Sequence, residues 1–188
     1  MRLPGCGRCL GSRQVKKAAA SFTFAVRVYW EDTDAGGIVF YANYLKFFER
    51  ARTEWLRSLG IGQRELKEKT GGMFVVVETR VRYLRPARLD DQLLVTVDVE
   101  QMGVASITLQ QQILDGTPPL EAGDQPPVLS EGSIRIGWVD AASMKPARIP
   151  HSLLGSLAMT TSNTNMTTAT PIADPMATSV AAHGGRAR

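Results

Sequence analysis

Apolar and polar residues alternate along residues 22–30, placing Phe22, Phe24, Val26 and Val28 on one parity, the period of a strand with one buried face. The period then changes. Between residues 44 and 59, Tyr44, Phe48, Ala51, Trp55 and Leu59 recur at spacings of three and four. Lys46, Glu49, Arg50, Arg52, Glu54 and Arg57 fall between them, which predicts an amphipathic helix ended by Gly60 and Gly62. Residues 63–69 predict a short helical turn. Gly71-Gly72 then opens a long strand in which Val75, Val77, Thr79, Val81 and Tyr83 share a face, closed by Pro86. Leu93, Val95, Val97 and Val99 alternate with Thr96, Asp98 and Glu100 in a third strand. Met102-Gly103 turns this strand into a fourth carrying Ile107, Leu109 and Ile113. A Pro-, Gly- and Asp-rich loop over 115–127 leads to a fifth strand marked by Ile134, Ile136 and Trp138, and Pro150-His151 opens a last short helix. Strand, helix, then four strands is an α+β order, and it suits an antiparallel sheet wrapped around one long helix.

A chain of 188 residues with 44% hydrophobic and 21% charged residues is long enough for one domain with a substantial core. The body spans 21–158, between a basic arm over 1–20 and a tail over 159–188 rich in Thr, Ser, Ala and Asn; both ends are expected to be disordered. The formal charge of +4 comes from the ends, because Arg2, Arg8, Arg13, Lys16 and Lys17 stand in an arm without acids. The body is slightly acidic, which argues against a nucleic-acid-binding face. Cys6 and Cys9 form a lone C-x-x-C with no second pair and no nearby histidine to complete a zinc site. No apolar run reaches the roughly 20 residues of a membrane span, so a cytoplasmic location is expected, with no stable membrane insertion. The acid-free start faintly resembles an organelle transit peptide and is equally explained by an over-extended start or a plain arm.

The chemistry concentrates in 31–44, where Glu31, Asp32 and Asp34 precede Gly36-Gly37 and the helix start. Glycines let a ligand approach the main chain, and the first amides of a helix lack intrahelical partners and favour negative charge. A carboxylate beside such amides points to chemistry on a carbonyl. Asp34 is the candidate, against the plainer reading of a turn carboxylate that accepts backbone hydrogen bonds. Asp32 and Glu31 read as structural or solvated, Asn43 as a helix cap, and Phe47, Phe48 and Trp55 as core. Histidine catalysis is nearly excluded, because only His151 and His183 occur and both read as peripheral. Two or three clustered carboxylates do not make a metal ligand set, so no metal and no cofactor are expected.

Residues 29–45, with the run Trp30-Glu31-Asp32-Thr33-Asp34-Ala35-Gly36-Gly37, resemble the signature of hotdog-fold acyl-CoA thioesterases of the 4-hydroxybenzoyl-CoA thioesterase family, in its Tol-Pal-associated branch. Arg82-Tyr83-Leu84-Arg85-Pro86-Ala87 followed by Asp90-Asp91 is a second, separate match. The resemblance implies a five-stranded antiparallel sheet around the long helix, and homodimers or homotetramers with active sites at subunit interfaces. It implies hydrolysis of an acyl-CoA thioester to free CoA and a carboxylic acid. By the same resemblance Asp34 is the catalytic aspartate, acting as nucleophile or general base, and the Tyr41 amide is the oxyanion donor. Gly36 and Gly37 line the approach, while Lys145 and Arg148 stand where relatives place cations for the CoA phosphates. Arg82, Arg85 and Arg88 fit the pattern and equally suit ion pairs with Asp90, Asp91 or a neighbouring subunit. The branch often has histidine at position 41 and tyrosine at position 30, so this chain departs from the pattern in both side chains. The competing expectation is an acyl-binding or acyl-carrier-protein-interacting hotdog domain with little turnover.

Overall fold

A computed structural model describes residues 22–117 and 126–162. In chain order the elements are β1 (Phe22–Arg27), a 3-10 turn (Trp30–Asp32), α1 (Asn43–Ser58), α2 (Gln63–Thr70), β2 (Gly72–Tyr83), β3 (Gln92–Met102), β4 (Ser106–Asp115), β5 (Val128–Asp140) and α3 (His151–Ser162). The five strands form one sheet in the order β1-β3-β4-β5-β2, antiparallel throughout. The expected α+β hotdog architecture is therefore present. The arm with its Cys6-x-x-Cys9 and the tail beyond Ser162 lie outside the described residues, and α3 runs past the boundary drawn at 158.

α1 buries the stripe that its spacing predicted. Phe47, Phe48, Ala51 and Trp55 are fully or almost fully buried, in one core cluster with Leu93 and Val95 of β3, Ile107, Leu109 and Ile113 of β4, and Ile134 and Trp138 of β5. One polar side chain sits among them. Gln111 of β4 is buried, donates to the carbonyls of Phe48 (3.2 Å) and Thr96 (3.4 Å), and accepts from Arg52 Nη1 at 2.8 Å. It ties the helix to the sheet with its polar atoms satisfied, the condition on which a buried amide is tolerated. Burial lowers the pKa of the Arg52 guanidinium from its ordinary value, with nearby Glu49 opposing.

Three local expectations change. The first strand does not reach residue 30. β1 ends at Arg27, and the chain turns because Asp32 N–H donates to Tyr29 O (3.0 Å) while Tyr29 N–H donates to Asp32 Oδ2 (3.0 Å). Asn43 is not the helix cap: it is the first residue of α1, and its side chain reaches back to the Asp32 carbonyl. Nor does β2 keep one parity, because a bulge between Val76 and Glu78 shifts its register on β5. Directly paired residues share a face, so Val76 (opposite Ile136) and Thr79 (opposite Ile134) lie on the α1 side, while Val75 lies with Gly137 on the outer side.

Gly72, at the start of β2, is buried against Trp138, and a Cβ there would overlap the indole ring. Gly72→Ala is expected to cost about 1–3 kcal/mol through overpacking, read as a lower midpoint in urea denaturation. An unchanged midpoint would mean that the indole moves aside freely.

Candidate active site

The acidic loop leaves β1 through Val28, whose N–H donates to Asp91 O at 3.0 Å. After the 3-10 turn, Thr33 and Val39 form an antiparallel bridge across a tight loop, Asp34 N–H donates to Ile38 O (2.9 Å), and Gly37 N–H donates to Asp34 O (3.0 Å). Gly37 has φ +71°, a conformation in which a side chain is strained. Gly36 N–H donates to Asp34 Oδ1 at 2.8 Å, which fixes the carboxylate, and Asp34 is exposed. A Cβ at position 36 would press on that same oxygen at 3.1 Å.

The loop is closed onto the start of α1. Phe40 N–H (2.9 Å) and Asn43 Nδ2 (3.0 Å) both donate to the Asp32 carbonyl. Asn43 N–H donates to Phe40 O at 2.8 Å. In a planar trans peptide the carbonyl and the following N–H point in opposite directions. The Tyr41 amide is thereby turned away from the helix, and it has no acceptor among the described residues. The Tyr41 side chain is 64% exposed, with its ring against Phe40 at 4.5 Å.

The two sequence motifs meet here. Val39 N–H donates to Ala87 O (2.9 Å), Ile38 bridges Arg88, Ala87 N–H donates to the buried Tyr44 hydroxyl (2.9 Å), and the Tyr83 hydroxyl donates to Tyr41 O (3.0 Å). Burial raises the Tyr44 phenol pKa, against the opposing effect of the Ala87 N–H. Asp91 accepts from Arg88 N–H at 2.7 Å, and Arg82 pairs with Glu131 rather than with Asp90 or Asp91.

Asp34, Gly36, Gly37 and Tyr41 thus share one loop, whereas Lys145 and Arg148 do not join them within a chain. Both are exposed in the segment after β5. That segment is pinned by Asp140 N–H to Lys145 O (2.9 Å), Ala147 N–H to Trp138 O (3.0 Å) and Ile149 N–H to Val104 O (2.9 Å). Trp138 and Asp140 pair with Phe74 and Gly72, at the opposite end of β2 from Tyr83. The 12 residues of β2 span roughly 35–40 Å at strand rise. A depression of about 250 Å³ lined by Gln101, Gly103, Ser106, Thr108 and Arg135 contains no residue of the acidic loop. Sequence reasoning did not find the roles of Tyr83 and of the Asn43 side chain; the second motif that contains Tyr83 was the available signal.

A family profile described as the thioesterase-like superfamily matches residues 28–157. The chain belongs to that superfamily. It is 42% identical over 129 residues to an acyl-CoA thioesterase YbgC of Haemophilus influenzae, covering 69% of this chain and 88% of that protein. It is 39% identical over 133 residues to an acyl-CoA thioester hydrolase YbgC of Escherichia coli O6:H1, covering 71% and 92%. A crystal structure of a probable thioesterase from Bartonella henselae superposes with a TM-score of 0.60 at 31% identity, covering 68% of this chain and 98% of that one. The hotdog resemblance read from the sequence, and with it the expectation of a thioester-hydrolysing enzyme, is borne out. No helix among the described residues is long and apolar enough to cross a membrane.

Asn43→Leu leaves the Asp32 carbonyl with the Phe40 donor alone. It is expected to destabilise the protein by about 1–3 kcal/mol, measured by chemical denaturation. A stability equal to that of the native protein would show that the side-chain bond does not hold the loop.

Proposed function

We propose that the protein hydrolyses acyl-CoA thioesters to free CoA and a carboxylic acid, with Asp34 and the Tyr41 amide as the reacting pair. The observation that carries this reading is the loop itself, which fixes, between one bridge and one helix start, an exposed carboxylate and an amide with no acceptor among the described residues. The amide stabilises the negative charge that develops on the thioester oxygen. Gly36 N–H holds Asp34 Oδ1, leaving Oδ2 to take a proton from attacking water or to attack the carbonyl directly. On the general-base route water adds to the thioester carbonyl and supplies the acid oxygen; on the direct route Asp34 forms a mixed anhydride that water then opens. On both routes the CoA thiolate leaves and is protonated. Single-turnover hydrolysis in ¹⁸O water tests the direct route, because label in the protein carboxylate requires an anhydride opened at the Asp34 carbonyl, whereas the general-base route puts label only in the product.

The acting form in this reading is a homodimer paired through β2. β2 is an edge strand, and it exposes Val76, Val77 and Tyr83, with Leu84 just beyond. A long unpaired edge strand offers its free backbone groups to another strand. Antiparallel pairing of two β2 edges sets the Gly72 end of one copy beside the Tyr83 end of the other. Lys145 and Arg148 of the second copy then approach the Asp34 loop of the first, where they meet the CoA phosphates. In this reading the protein meets its substrate in the cytoplasm, as a member of the Tol-Pal-associated branch.

Asp34→Asn keeps the bond to Gly36 and is expected to lower kcat about 10³-fold in a thiol-release assay over short, long and aromatic acyl-CoAs, with the oligomer intact. Near-normal hydrolysis would sink the assignment. Tight acyl-CoA binding without turnover by the native protein would favour the acyl-binding reading instead.

Lys145→Ala with Arg148→Ala is expected to raise KM about tenfold for acyl-CoA, in line with the loss of charge-assisted phosphate contacts, and to leave KM for acyl-pantetheine unchanged. Equal effects on both substrates would remove the phosphate assignment.

A further inference from the structure

We propose that Tyr83 is a positioning residue for the oxyanion amide: from β2, its hydroxyl fixes the backbone turn that carries the Tyr41 N–H. This inference rests on the Asp34 and Tyr41 reading above. Residues 40–43 form a turn closed by Asn43 N–H to Phe40 O at 2.8 Å. The central peptide of such a turn, between Tyr41 and Ala42, contributes neither group to the closing bond and is not held by it. The helix does not restrain it, because Leu45 N–H donates to Ala42 O (3.2 Å), and no backbone N–H among the described residues reaches the Tyr41 carbonyl. The Tyr83 hydroxyl takes that carbonyl at 3.0 Å.

Tyr83 is itself well anchored. It pairs with Ser130 at the end of the β2–β5 ladder, Ser130 Oγ donates to Arg82 O (3.0 Å), and Leu84 and Arg85 N–H both donate to Leu129 O (2.9 and 3.1 Å). Its ring meets buried Tyr44 edge-on at 5.3 Å. Desolvation first, and then proximity to Tyr41, raises the Tyr83 phenol pKa. The Phe40–Tyr41 peptide is held by Asn43 and the Tyr41–Ala42 peptide by Tyr83, so both planes flanking the Tyr41 Cα are set before substrate arrives. A preorganised donor needs no reorganisation during the reaction.

The test compares Tyr83→Phe, which keeps the ring, with Tyr83→Met, which also loses the contact with Tyr44. Steady-state hydrolysis, melting temperature and oligomer size are measured for both, with Asp34→Asn run in parallel. Tyr83→Phe is expected to lower kcat about tenfold, less than the loss of a whole oxyanion donor, with KM, melting temperature and oligomer size unchanged. Tyr83→Met is expected to show a similar kcat loss and a lower melting temperature. An unchanged kcat in Tyr83→Phe, or a kcat that falls only where melting temperature or assembly falls, overturns the proposal. Loss of activity in Asp34→Asn with full activity in Tyr83→Phe would reject the Tyr83 role alone, whereas an active Asp34→Asn would reject the underlying site.

Discussion

The carbonyl of Asp32 accepts two donors, Phe40 N–H at 2.9 Å and Asn43 Nδ2 at 3.0 Å, and the acidic loop depends on that shared acceptor. One bond closes the loop on itself and the other ties it to the first residue of α1. α1 is in turn held by the burial of Phe47, Phe48 and Trp55, so the loop inherits the rigidity of the core. Asp32 is 1% exposed, with Oδ2 held by Tyr29 N–H and Oδ1 without a partner among the described residues. The loop thus sets a buried carboxylate two residues before the exposed one assigned to the chemistry.

Much of the fold was legible because each periodicity reported burial directly. The stripe on α1 is buried as its spacing predicts, and the alternation of Leu93, Val95 and Val97 is the core face of β3. The bulge in β2 was not legible: the run Val75-Val76-Val77 is apolar on both parities, so no alternation marks where the face changes. The turn at Trp30–Asp32 was hidden for a similar reason, since aromatic residues continue the strand pattern while the bonds that break it belong to the Asp32 side chain and backbone.

In the candidate site, the acidic loop could be found from the order of carboxylate, glycines and helix start, because those residue types have local reasons to occur together. Asn43 and Tyr83 act over long sequence separations, 11 residues to Asp32 and 42 to Tyr41, which local patterns do not encode. Lys145 and Arg148 make the same point at a larger scale. They were named from a resemblance, yet a single chain holds them at the other end of β2, and it is the proposed dimer that brings them to the loop.

Two close fits fix how β2 lies on β5. Gly72 leaves room for Trp138, and the Val77 side chain fills the space above Gly137. A strand that slips exposes its buried set, and here a slip would also drive side chains into Trp138 and into Val77. β2 is therefore a ruler of fixed length. In a pair joined along this edge, the spacing between the two acidic loops is set by the register of β2 within each chain, before the copies meet.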